Sequence, residues 1–121
     1  MEQDEVIADL LQALTGKVML AHHSAIECGF LGNACKQLYG LVPVFSVIDT
    51  LSMACQWFTS RNKEIAPGDL RLFNLRERYG LPRYNAHNAL SDALSTAELF
   101  LAQVEHMDSR GTLRLKRFLS R

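Results

Sequence analysis

The chain has 121 residues, of which 48% are hydrophobic and 21% charged, values typical of one ordinary globular domain. This composition excludes a wholly disordered or collagen-like protein. Thirteen basic residues balance thirteen acidic ones, and the resulting formal net charge of zero disfavours a protein held to nucleic acid mainly by bulk charge.

The first half of the chain alternates helical and strand patterns. Apolar residues at helical spacing predict a first helix over about residues 4–15, which Gly16 ends. The apolar run KVMLAH predicts a strand over residues 17–22 that is buried on both faces. A second helix is expected over residues 24–40, and the β-branched run VFSVID predicts a second strand over residues 44–49.

The second half of the chain is predicted to be helical. The pattern indicates helices over residues 50–60, 70–79 and 89–106, a polar loop at 61–69 and a final short helix at 113–119. The buried stripe of the longest helix is expected to consist of Leu90, Ala93, Ala97, Leu101 and Val104. The order helix, strand, helix, strand, helices is typical of an α/β layer architecture.

The predicted sheet is incomplete, because it has two strands and both resemble central strands with bare edges. Either the helices wrap this sheet or further strands are supplied from outside these elements. A bare and flat edge invites pairing with another copy of the chain. We therefore expect a homo-oligomer that forms through the exposed edge of the first strand.

The start of the chain and its cysteines indicate a cytoplasmic protein without a membrane partner. The first ten residues, MEQDEVIADL, are acidic, unlike a secretory signal. No apolar run approaches the ~18 residues of a membrane span, and the three cysteines form no CxxC pair. Residues 109–121 carry five basic residues and no acid, which indicates either a contact to phosphate or an acidic partner, or a solvated end.

The segment AHHSAIECGFL, residues 21–31, is the first candidate site. His22 and His23 follow a predicted strand, where α/β proteins place ligand contacts. Ser24 and Glu27 fit the S-x-x-E capping box, in which the two side chains satisfy backbone donors of the helix. The alternatives are a ligand-binding role for Glu27, or a zinc site of two histidines and Glu27 that lacks further ligands at a diagnostic spacing.

The segment HNALSDALSTAELFL, which begins at His87, is the second candidate site. His87 precedes the longest helix, and its ring can fold back toward Asp92 in the first turns. Asn88 is expected to cap this helix. Asp92 is either an exposed carboxylate or a metal ligand that faces a cleft.

Asp49 and several aromatic residues each have a structural and a functional interpretation. Asp49 ends the second strand and is expected to cap the next helix, with a catalytic role as the alternative. Trp57, Phe58, Tyr79 and Tyr84 could offer stacking surfaces for bases, although such residues more often belong to the core.

Together, the candidate segments resemble the motifs of the DnaQ-like (DEDDh) 3′–5′ exonucleases. AHHSAIECGFL resembles the second motif, A-H-N-x-x-F-D-x-x-F-L, and VIDTL is similar to the segment that follows it. HNALSDALSTAELFL resembles the third motif, H-x-A-x-x-D-A-x-x-T-A, with the histidine and the aspartate in step. The three segments stand in the right order and cover about residues 5–105.

The resemblance implies a ribonuclease H-like fold and hydrolysis of nucleotides from the 3′ end of a single-stranded DNA or RNA. It also implies two divalent cations, Mg²⁺ or Mn²⁺, at the scissile phosphate. By motif, Asp92 is a metal ligand, and Glu27 takes the place of the second-motif aspartate. His87 takes the proton of the attacking water, and His22 and His23 lie near the substrate phosphate or terminal nucleotide.

The family's first motif, Asp-x-Glu on an opening strand, has no counterpart in these residues. Two acids offer too few oxygens to two dications. We therefore predict one partial exonuclease-like domain over residues 1–121, with the motifs in 1–108 and a basic tail at 109–121. The chain is then the C-terminal part of a working exonuclease or a catalytically inactive relative that binds nucleic acid or protein. A small α/β interaction module with accidental motif matches is the third alternative.

Overall fold

The computed structural model of the protein describes residues 3–83, 88–107 and 118–120. In chain order the elements are α1 (Gln3–Leu14), β1 (Met19–Ala21), α2 (Ser24–Tyr39), β2 (Val47–Asp49), α3 (Thr50–Ser60), α4 (Leu72–Arg78), α5 (Ala89–Met107) and β3 (Leu119–Ser120). The predicted α/β class and the predicted order of helices and first two strands are confirmed. No helix in the described ranges is long and apolar enough to cross a membrane.

Within the described residues the sheet has three strands in the order β1-β2-β3, so the prediction of only two strands was wrong. β1 and β2 are parallel, with Ala21 opposite Asp49, whereas β3 is antiparallel to β2, with Leu119 opposite Ile48. Leu119 therefore belongs to a strand and not to the predicted last helix, most of which lies outside the described residues. Among the described residues β2 is therefore the central strand, and β1 and β3 are both edge strands with an unpaired outer edge.

Helices cover both faces of the sheet because successive strand residues point to opposite sides. Met19 packs with the core of α1 and α2, whose buried members are Ile7, Leu31, Ala34 and Cys35. Leu20 packs on the other face, with a cluster that contains Ile48, Met53 and Phe118. A third cluster, with Phe58, Leu75 and Leu99, joins α3, α4 and α5. The sheet is therefore the middle layer of an α/β arrangement.

The buried face of α5 differs from the predicted stripe. Leu90 and Leu101 are 71% and 65% exposed, whereas the buried residues of α5 include two small polar side chains. The buried residues of α5 are Ser95, Thr96, Leu99 and Gln103. Gln103 is 3% exposed, and its amide Nε2 donates to the Thr50 carbonyl at 3.0 Å. Hydrogen bonding of this kind offsets the desolvation of polar groups, and hydrophobicity alone does not register it.

A buried arginine joins α4 to α5 and helps to fix this orientation. The Arg76 side chain is 2% exposed and lies 3.1 Å from the carboxylate of Glu98. Its guanidinium donates to the carbonyl of Ser95 at 2.8 Å and to that of Pro82 at 2.7 Å. These contacts hold the Ser95 side of α5 against α4 and turn Leu90 and Leu101 away from the core.

Candidate active site

A turn between β1 and α2 is organised by Asp49, which lies opposite Ala21 at the end of β2. The Asp49 carboxylate accepts hydrogen bonds from the backbone N–H of His23 at 2.9 Å and of Ser24 at 2.8 Å. It also accepts from the Ser24 hydroxyl and from the backbone N–H of Leu51, each at 2.9 Å. The predicted cap of α3 is confirmed, and the same carboxylate also holds the start of α2.

The hydrogen bonds set the charge state of Asp49. Burial by itself would raise its pKa, but the donors of Ser24, His23 and Leu51 together hold the pKa below the ordinary value of an aspartate. The carboxylate is therefore charged at neutral pH. It fixes the turn in a conformation in which His23 has a φ of 70°.

The predicted capping box at the start of α2 was wrong. His23, in a left-handed conformation, stands at the N-cap, and Ser24 is already the first residue of the helix. The Ser24 hydroxyl donates to Asp49 instead of capping α2. Glu27 is exposed in the first turn of α2, and its carboxylate is free of the capping role.

His22 lies behind this turn, with its imidazole between α3 and the segment before α4. Its Nε2 is 2.8 Å from the Leu70 carbonyl, which can only accept, so Nε2 carries the proton. Its Nδ1 lies 2.8 Å from the Thr50 hydroxyl. Burial lowers the pKa of His22 and so favours the neutral ring, whose Nδ1 lies within hydrogen-bond distance of a Thr50 hydroxyl that also reaches the Ala21 carbonyl at 3.3 Å. His22 ties β1 to two neighbouring segments through both ring nitrogens.

The third-motif segment places Asp92 in the first turn of α5, where its side chain is exposed. The Asn88 side chain accepts from the backbone N–H of Ser91 at 2.8 Å, so the predicted cap is confirmed. His87 lies outside the described residues. Both candidate acids, Glu27 and Asp92, thus stand exposed at the N-terminal ends of helices that contact β1.

Some of the predicted site residues lie close together in the structure, and others do not. His22, His23 and Asp49 meet at the carboxyl ends of β1 and β2. Among residues 3–83, 88–107 and 118–120, no three His, Cys, Asp or Glu side chains form a group that could hold a metal ion. Carboxylate oxygens are the ligands that Mg²⁺ and Mn²⁺ prefer. The carboxylates of Glu27 and Asp92 are therefore suited by chemistry to such a cation, but two acids do not complete a two-metal centre.

The sequence did not predict that Asp49 accepts hydrogen bonds from the start of α2. Its role in capping α3 is local, whereas its bonds to His23 and Ser24 span 26 and 25 residues. The available signal was that both predicted strands of an α/β architecture end in polar residues, because the carboxyl ends of parallel strands meet at one edge of a sheet.

Comparisons with known proteins place the motifs in a family context. The family model RNase_T, described as an exonuclease, matches residues 1–100. The chain is 31% identical over 112 residues to DNA polymerase III PolC-type proteins from Thermotoga petrophila and Thermotoga maritima. It is 27% identical over 108 residues to the protein of that name from Caldanaerobacter subterraneus.

These alignments cover most of this chain and little of the relatives. They include 93% of this chain and 8% of each Thermotoga protein, and 89% of this chain and 7% of the Caldanaerobacter protein. The chain thus spans less than a tenth of the length of these curated relatives. No solved structure matches the chain significantly.

Proposed function

The chain belongs to the DnaQ-like exonuclease family, and on that premise we propose that it carries the second- and third-motif half of a metal-dependent 3′–5′ exonuclease site. Its helices and small sheet form part of the ribonuclease H-like fold of this family. The proposed substrate is the 3′ end of a single-stranded nucleic acid, and DNA is favoured because the relatives are named DNA polymerases. The motif-bearing part is proposed to be residues 1–108, followed by the basic tail at 109–121.

The observation that carries the proposal is the placement of the two motif acids. Glu27 and Asp92 are both exposed in the first turns of helices that contact β1. A carboxylate that is buried, or that accepts the backbone hydrogen bonds of a helix cap, would be unavailable to a cation. Glu27 and Asp92 are exposed, and neither caps its helix. Acidic side chains are also favoured in the first turn of a helix, where the helix dipole is positive.

We assign each side chain a role in this proposed reaction. Glu27 and Asp92 bind Mg²⁺ or Mn²⁺, which when bound supplies Lewis-acid stabilisation of the phosphate and an acidified water. His87 accepts the proton of the attacking water. His23 is exposed at the turn and contacts the substrate phosphate. His22 has both ring nitrogens occupied, so its proposed role is to position this turn near the terminal nucleotide.

A nuclease assay on the purified 121-residue chain tests the proposal. The substrate is a 5′-labelled single strand, incubated with Mn²⁺, with Mg²⁺ or with a chelator. We expect only weak metal-dependent shortening from the 3′ end, because the chain carries half of the proposed site. Asp92→Asn should abolish this activity, because a ligand that contacts the metal matters at least as much as its outer-shell partners, which contribute on the order of 10–100-fold. Glu105→Gln is the matched control, since Glu105 is exposed at the far end of the same helix.

A second candidate function rests on the small number of acids. The described residues contain no group of three metal-binding side chains, which favours a catalytically inactive relative that binds nucleic acid or protein. A chain that is folded by circular dichroism and binds the labelled strand, but does not shorten it with either metal, would support this alternative and contradict the catalytic proposal.

A further inference from the structure

A second candidate ligand site lies at the other end of α5. An apolar cavity of about 240 Å³ opens between α3, α4 and α5. Six of the residues that line it are Trp57, Phe58, Arg78, Tyr79, Gln103 and His106. Asp92 and His106 are separated by roughly 21 Å along α5 at the helical rise of ~1.5 Å per residue. The cavity is therefore distinct from the candidate active site.

Three cations converge on the tryptophan of this cavity. Lys63 Nζ lies 4.8 Å from the centre of the Trp57 ring, and the guanidinium carbons of Arg61 and Arg78 lie 5.1 and 5.7 Å from it. Each cation is attracted by the ring, but the like charges repel one another. Within the described ranges, no carboxylate is ion-paired with any of the three. The positive charge around Trp57 therefore favours an anionic ligand.

The wall of the cavity is aromatic and carries polar atoms without partners. The His106 ring lies 6.0 Å from the Trp57 ring and 5.9 Å from the Tyr79 ring, both at steep angles. Trp57 Nε1, a donor, and Gln103 Oε1, an acceptor, are buried and find no hydrogen-bond partner in the described part of the chain. Gln103 cannot simply turn over, because its Nε2 already donates to the Thr50 carbonyl. The edges of nucleobases offer both donors and acceptors.

We propose that the cavity and its three cations form a remote subsite for the single-stranded part of the substrate. The cavity is smaller than the ~300–1,000 Å³ typical of sites for whole small molecules, so it holds one base and not a complete nucleotide. The sugar and phosphate then lie outside, against Arg61, Lys63 and Arg78. Aromatic stacking combined with cations on the backbone is how proteins hold single strands without reading their sequence. The identity of the strand as substrate rests on the proposed function.

The fluorescence of Trp57 tests this subsite directly, because it is the only tryptophan in the chain. We would titrate the whole chain with an oligothymidylate in chelator, which separates binding from hydrolysis. We expect a saturable change in Trp57 emission, and binding weaker by at least about fivefold for an abasic strand of equal length, since stacking contributes to each base. No change in emission, or equal binding of the abasic strand, would overturn the proposal. Saturation by thymidine monophosphate at the same concentrations would overturn its assignment to a strand.

Salt dependence separates specific backbone contacts from general charge. The logarithm of the binding constant falls linearly with the logarithm of the salt concentration. Lys63→Ala should make this slope shallower by about 0.7, the value for one phosphate contact on a single strand. Lys36→Ala removes the same charge from α2 and should leave the slope unchanged. Lys63 and Lys36 are both exposed, so neither change is expected to disturb folding. Equal slopes for the two variants would overturn the subsite, whereas a nuclease that fails only this binding test keeps its proposed activity.

Discussion

At the scale of single residues, Asp49 shows how one carboxylate connects two elements. It accepts backbone hydrogen bonds from the start of α2 and of α3, and these helices follow the neighbouring parallel strands. A charge that accepts several N–H groups stabilises their positions more strongly than a neutral acceptor does. The turn that carries His23 and leads to Glu27 therefore depends on a residue that lies outside the second motif.

We predict that Asp49→Asn lowers the free energy of unfolding at neutral pH by about 1.5–3 kcal/mol, the range for hydrogen bonds to a charged group. The variant keeps one acceptor oxygen and turns an NH₂ group toward backbone donors. Urea denaturation measures the change. Asp69→Asn is the control, because Asp69 accepts from Ala66 in an exposed loop and should cost less than half as much.

The pH dependence of the same variant gives a check with a defined sign. The pKa of Asp49 is lower in the folded state, so its contribution is fully present above the unfolded value of about 3.9 and is lost as the pH falls through the folded-state pKa. The gap in urea midpoint between Asp49→Asn and the unmodified chain should therefore narrow only in that acidic range. A gap that is constant down to strongly acidic pH would contradict the charge argument.

At the scale of elements, α5 has an apolar side that the described residues leave uncovered. Leu99 is fully buried in the cluster of α3, α4 and α5, whereas Leu101, two positions later, is 65% exposed. We predict that Leu99→Ala lowers the free energy of unfolding by about 2–5 kcal/mol through the cavity it leaves. Leu101→Ala should change it by no more than about 0.5 kcal/mol. Chemical denaturation of the two variants compares them, and similar losses would mean that α5 is rotated relative to this structure.

The sequence predicts the elements of this fold better than it predicts how they face one another. The second helix was expected over residues 24–40 and spans Ser24–Tyr39, because Gly40 takes a φ of 73° that ends it. β3 was missed because its pairing with β2 joins residues about 70 positions apart. The predicted buried stripe of α5 was wrong because Arg76 and Gln103 orient the helix through polar contacts, which the periodicity of hydrophobic residues does not predict.

In the candidate site too, the sequence predicts the local features better than those that depend on long-range contacts. The motif spacing placed Glu27 and Asp92 in the first turns of their helices, and the structure agrees, because caps and turns are encoded locally. Whether Glu27 caps its own helix was decided by Asp49, which is distant in sequence. Local patterns therefore locate the acids, and long-range contacts determine whether these acids are available for chemistry.

At the scale of the whole molecule, the outer edge of β1 is the surface through which we expect copies of the chain to associate. This edge has no strand partner among the described residues, and its backbone donors and acceptors are available for pairing. The apolar side of α5, with Leu94 and Leu101 exposed, offers a second surface for association. We predict a homo-oligomer that forms through the edge of β1. Association through that edge would use backbone hydrogen bonds, whereas association through α5 would use apolar side chains.

We predict that sedimentation velocity shows a mass that rises with protein concentration, and that the melting temperature rises with it, because association stabilises the folded state. If the edge of β1 carries the contact, a variant with both Leu94→Lys and Leu101→Lys associates as strongly as the unmodified chain, since backbone groups form the bonds. If that variant is monomeric, the apolar side of α5 carries the contact instead. A monomer at every concentration in the unmodified chain would contradict both, and it would mean that the chain protects this edge without a second copy.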